Sequence, residues 1–103
     1  MDEIKTISWI FLATSLASEV APAKMDSIST IADGINHAVP AQKELQNCIR
    51  WLTSKNLVVK ESGGYYLSEN GKKLIERAKS ESTVLLSIWK DLENIIKSLN
   101  DNL

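Results

Sequence analysis

What most constrains this chain is the order of signals between Asp26 and Gly71: two apolar stripes at helical spacing, a glycine-bearing hairpin, and a new helix start. Ile28, Ile31, Ala32 and Ile35 share one side of a first helix, for which Asp26 or Ser27 is a candidate cap. Leu45, Cys48, Ile49 and Leu52 do the same for a second helix after Pro40, a residue suited to an opening turn because its missing amide proton has no partner there. Asn36-His37-Ala38-Val39 forms the turn between them. Leu57-Val58-Val59 and Tyr65-Tyr66-Leu67 read as two short strands around Gly63-Gly64, and Ser68 stands where it caps the next helix. A hairpin this small needs support from the helices beside it.

The flanking segments read as helices. From about Glu3 to Glu19, Ile4, Ile7, Ile10, Phe11, Ala13 and Leu16 spread too widely for a narrow stripe, so this helix is expected to be covered on more than one side. Pro22 ends it. The run Ile7–Ala13 is expected to be a buried helix rather than an export signal or bilayer span: Asp2 and Glu3 precede it where an export signal carries positive charge, and Thr14, Ser15, Ser18 and Glu19 interrupt its continuation. Toward the other end, Leu85, Ile88, Leu92, Ile95 and Leu99 are spaced as a heptad seam, widened by Val84, Trp89 and Ile96. Two readings stay open: the helix covers the domain's own core, or the two end helices pack jointly in a homodimer. The dimer reading is favoured, with Ile7, Phe11, Leu85, Ile88, Trp89, Leu92, Ile95 and Leu99 as its interface. Only Asn100-Asp101-Asn102-Leu103 looks frayed.

With 103 residues, 44% of them apolar, one modest core is the limit. A single domain over residues 1–103 is expected: an N-terminal helix (1–23), the helix pair with its hairpin (26–67), and C-terminal helices (68–100). The fold class is mainly α with a small β-hairpin, α+β overall. A lone cysteine, Cys48, on an apolar helix face favours a buried thiol in a reduced, cytoplasmic protein over a disulfide framework. Charge is nearly balanced, with 12 basic and 13 acidic residues, but unevenly distributed. Residues 24–80 hold nine Lys or Arg against six acids, leaving the flanks acidic. The mild positive field therefore lies on the helix pair and hairpin.

These residues resemble the winged-helix domains of small bacterial transcriptional regulators. The likeness rests on the run from Leu45 through Leu52 to Lys55-Asn56-Leu57-Val58, followed by Tyr66-Leu67-Ser68-Glu69-Asn70-Gly71-Lys72-Lys73-Leu74. In that family the second helix of the pair ends in leucine, three mostly polar residues, glycine or asparagine, leucine and valine. The hairpin, or wing, is followed by leucine, threonine or serine, two residues and glycine. Asn56 stands where glycine is commoner, and asparagine tolerates the left-handed conformation that ends helices. The match covers about half the chain and implies a winged helix, while the apolar faces of the terminal helices lead to the expectation that these pack together.

On the 40–55 helix the apolar stripe leaves Lys43, Gln46, Asn47 and Arg50 together on the opposite side. Arginine pairs bidentately with guanine, asparagine and glutamine with adenine, and lysine contacts phosphate or guanine. A helix of this kind fits the major groove of duplex DNA while the wing, with Lys60, meets backbone. The leading expectation is a non-enzymatic regulator that binds duplex DNA as a homodimer, without cofactor or metal and without a membrane. The alternative is a protein-binding module, such as an immunity protein, an antitoxin or an assembly subunit. It is suggested by the acidic tip at Glu61 and by Trp51, which lies off the apolar stripe, with Tyr65 beside them as a contact. An enzyme has least support: His37 has only Asp33 one helical turn away, with no nucleophile, metal-ligand set or phosphate-cradling loop.

Overall fold

A computed structural model describes residues 2–80 and 82–101. Five helices and one hairpin follow in the order α1 (Glu3–Ala17), α2 (Met25–Asn36), α3 (Gln42–Ser54), β1 (Val58–Glu61), β2 (Gly64–Leu67), α4 (Glu69–Lys79) and α5 (Leu85–Asp101). The α5 helix therefore continues through Asn100 and Asp101; Asn102 and Leu103, also read as frayed, lie outside the described residues.

The central element is α1. Every residue from Thr6 to Thr14 is buried, as the broad apolar spread foretold, and the helix packs against α2, α3, α4, α5 and β2. Its buried hydroxyls are satisfied within the helix: Thr6 Oγ1 donates to the Asp2 carbonyl at 2.9 Å and Thr14 Oγ1 to the Ile10 carbonyl at 2.8 Å. Two indoles tie it to its neighbours. Trp9 Nε1 donates to the Ala32 carbonyl of α2 at 2.9 Å, and Trp89 Nε1 reaches back from α5 to the Lys5 carbonyl at 3.0 Å and Ser8 Oγ at 3.1 Å. The two rings lie 6.2 Å apart, so the end helices meet within one chain.

That packing changes the heptad reading. Ile7, Phe11, Ile88, Trp89 and Leu92 lie in the chain's own core with 7% exposure or less, which leaves them no surface to offer a second copy. The α5 core row is Ile88, Trp89, Leu92 and Ile96, while Ile95 is half-buried. Leu85 and Leu99 sit at the helix ends, 40% and 36% exposed. The seam is thus internal through its middle and exposed at its two ends.

The helix pair ends as its residue types require. His37 takes a left-handed conformation (φ 54°) and its backbone N–H donates to the Asp33 carbonyl at 2.7 Å, closing α2. Asn56 is left-handed as well (φ 58°), with Leu57 N–H bonded to the Leu52 carbonyl and Asn56 N–H to the Thr53 carbonyl. This double bond with a left-handed residue is a Schellman ending. Three boundaries shift from expectation: α1 closes at Ala17, where the Ser18 N–H donates to the Thr14 carbonyl, short of Glu19 and of Pro22. The α2 helix starts at Met25 behind Lys24, so neither Asp26 nor Ser27 is its cap, and Pro40 stands just ahead of α3 rather than in its first turn.

The hairpin pairs Val58 with Leu67 and Glu61 with Gly64, leaving Ser62-Gly63 as a two-residue loop. Both loop residues have positive φ, 51° and 80°, the geometry that matches the strands' own twist. The turn is therefore one residue earlier than Gly63-Gly64. Gly64 serves another purpose: a Cβ there would lie 2.8 Å from Pro22 Cβ, because the α1–α2 connection passes directly against β2. Just beyond, Ala23 and Tyr65 exchange both backbone hydrogen bonds at 2.8 Å, adding a one-residue third strand. Ser68 then caps α4 as expected, its Oγ accepting from Gly71 N–H at 3.0 Å while donating to the Asn56 carbonyl at 2.6 Å.

Candidate nucleic-acid interface

The α3 helix is held by its inner row, Leu45, Cys48, Ile49 and Leu52, each at 5% exposure or less. With that row fixed against α1 and the hairpin, helical geometry turns Lys43, Gln46, Asn47 and Arg50 outward, and all four are exposed. The structure thus brings together the α3 residues singled out in the sequence. Arg50 Nη1 makes one long contact, 3.5 Å, to Asn47 Oδ1. Among the described residues the one ion pair joins Lys72 to Glu69, so neither Lys43 nor Arg50 is tied to a carboxylate.

Two further features border this face. Neither α2 nor α3 has a side-chain hydrogen bond at its N-cap, Lys24 and Ala41 respectively. Their first N–H groups are left for an external acceptor at the end where the helix dipole is positive. A shallow cleft of about 260 Å³ separates the two helix starts, lined by Met25, Asp26, Pro40, Gln42 and Gln46. The Asp26 carboxylate is exposed there and opposes any anion that approaches. Lys60 does not join the α3 row: it stands exposed on β1 beyond the C-terminal end of α3, with Glu61 next to it.

The alternative residues occupy different surroundings. Trp51 is half-buried at the edge of the core, with Lys55 Nζ 5.7 Å from its ring centre. Glu61 is exposed at the outer end of β1, whereas Tyr65 is half-buried on β2 and bonded through its backbone to Ala23.

A groove between α1 and α3 was not legible in the sequence. Glu3 and Ile7 from α1 meet Lys43, Glu44, Cys48 and Trp51 across it. The pairing joins residues forty positions apart, and no local spacing announces it. Its electrostatic mark falls on Cys48, whose thiol is pushed up to about 12 from an ordinary 9.0, first by burial and then by the Glu44 and Glu3 carboxylates. A thiol so disposed is protonated and unreactive at neutral pH. Among the described residues no cluster of three or more His, Cys, Asp or Glu has the placement to hold a metal ion, and no helix is long and apolar enough to cross a membrane.

Compared with protein-family models, with curated proteins and with solved structures, the chain finds no match.

Proposed function

We propose that this chain is a winged-helix DNA-binding protein, a transcriptional regulator that lays α3 in the major groove. The observation that carries the reading is the exposed row Lys43, Gln46, Asn47 and Arg50 on a helix whose opposite side is locked into the core. These are the side chains that discriminate base edges, each good bidentate pair contributing about 1 to 3 kcal/mol. The uncapped starts of α2 and α3 add backbone donors for phosphate. The hairpin, steadied by the Ala23–Tyr65 bridge, serves as the wing and offers Lys60.

Cations are few on this surface, and Asp26 and Glu61 oppose phosphate. Two copies on one duplex double the favourable charge, and we assign the association to the exposed end of α5, where Val84, Leu85 and Leu86 are 60%, 40% and 61% exposed. A protein-binding module is the second reading. It is favoured by the half-exposed Trp51 indole and by the carboxylate at the hairpin end.

Fluorescence anisotropy of labelled genomic-fragment and random duplexes across a salt series, with the protein's mass measured in the same buffer, separates the two. A dimeric binder with steep salt dependence is the expected result. Substituting Lys43 or Lys60 should weaken all duplexes alike and lower the salt slope by about one each, whereas substituting Arg50 or Gln46 should relax sequence preference. All four side chains are exposed, so circular dichroism should stay unchanged. Absence of binding at low salt, or binding indifferent to charge reversal at Arg50, refutes the DNA reading.

A further inference from the structure

The groove between the first turn of α1 and the α3 helix from Lys43 to Trp51 has a volume of about 510 Å³, within the range of small-molecule sites. Its floor is apolar and closed, since Ile7 and Cys48 are 3% and 4% exposed. The Trp51 indole forms one wall. Around the opening stand Glu3 and Glu44 against a single amine, Lys43, and neither carboxylate is in an ion pair among the described residues. Glu3 is exposed and Glu44 half-buried, and both carboxylates add to burial in raising the Cys48 thiol.

Ala41 and Asn47 complete the lining, and the other side chains favour one kind of occupant. The protonated thiol and the Thr6 hydroxyl, already donated to the Asp2 carbonyl, ask for no external polar partner. An indole attracts cations through its ring face, as the Lys55 ammonium already illustrates. Among the lining residues two carboxylates stand against one amine, and the Lys55 ammonium on the indole lies outside that lining. We propose that this groove is a binding site for a small organic cation with a flat aromatic body. The ring lies over Ile7 beside Trp51, and the ammonium sits between Glu3 and Glu44. The site does not depend on α3 reading DNA.

Benzyltrimethylammonium chloride is a suitable probe, titrated into the full chain by calorimetry and by tryptophan emission, with tetramethylammonium chloride and benzyl alcohol as controls lacking the ring or the charge. Saturable binding at one site per chain is expected, with an emission change from Trp51, because Trp9 and Trp89 are 2% and 6% exposed. Each control should bind at least about tenfold more weakly. The double variant Glu3→Gln with Glu44→Gln should weaken the probe by about tenfold. Trp51→Phe should remove the emission change. Lack of saturable heat, equal binding of benzyl alcohol, or unchanged binding by the double glutamine variant overturns the proposal.

Discussion

Replacing Gly71 by alanine should destabilise the fold, although the residue lies in a helix where alanine is normally preferred. A Cβ at Gly71 points at the Leu57 carbonyl oxygen, with the Leu57 carbonyl carbon at 3.2 Å and Leu67 Cβ at 3.4 Å. The oxygen cannot retreat freely: it accepts from Ser68 N–H at 3.1 Å, and Ser68 Oγ holds the adjacent Asn56 carbonyl. Forcing this junction apart costs about 1 to 3 kcal/mol as overpacking. Stretching the Ser68–Leu57 bond adds about 1 kcal/mol. Alanine's helix propensity returns about 1 kcal/mol. The net loss should be about 1 to 3 kcal/mol, or roughly 4 to 8 °C in Tm per kcal/mol for a domain of this size. Gly34 provides the internal comparison, being exposed on α2 with nothing within 4 Å of an added Cβ. Gly34→Ala should therefore stabilise by about 0.4 to 1 kcal/mol. Urea unfolding followed by the buried tryptophans measures both. Shifts of the same sign, or a Gly71→Ala variant as stable as the parent, would refute the steric argument.

Three other perturbations test separate parts of the fold. Ser68→Ala removes both the α4 cap and the bond to the Asn56 carbonyl, so it should cost about 1 to 2 kcal/mol, read as a lower urea midpoint. Trp89→Phe loses the hydrogen bonds to Lys5 and Ser8 and leaves a void beside Trp9; a loss of about 1 to 3 kcal/mol is expected by thermal unfolding. Cys48 should resist iodoacetamide in the native chain near neutral pH and react readily in denaturant, and equal rates would contradict its burial. Because its native pKa is raised, the folded state keeps a proton that the unfolded state releases. Its contribution to stability is therefore whole below pH 9.0 and declines as pH rises toward about 12, which urea midpoints measured across that interval will show.

Much of the architecture was legible because it is local. The Ser68 cap, the left-handed Asn56 and the α3 stripe each depend on residues within a turn or two of one another. The motif of leucine, serine, two residues and glycine also has a physical meaning here: Ser68 and Gly71 together grip the Asn56-Leu57 backbone where α3 ends. What escaped depends on distant approach. Gly64 looked like a turn residue, but its missing side chain makes room for Pro22, more than forty positions earlier. The heptad on α5 looked like a seam between chains, yet Trp89 closes it against α1 of the same chain. Glu3 and Glu44 carry no sign of each other in the sequence, and only the crossing of α1 and α3 makes them neighbours.

The position of α1 bears on whether the helix pair and its hairpin can be moved elsewhere. The α2–α3–hairpin segment owes its rigidity to an indole bond from Trp9, a core shared with Ile7 and Phe11, and a strand bridge supplied by the connection that follows α1. Cut from its first helix, that segment would lose its floor and one edge of its sheet together. It is therefore not a portable cassette for grafting onto another scaffold. Changes to the exposed row of α3 must be made within the whole chain, and any weakening of α1 should loosen the α3 surface before global unfolding is detected.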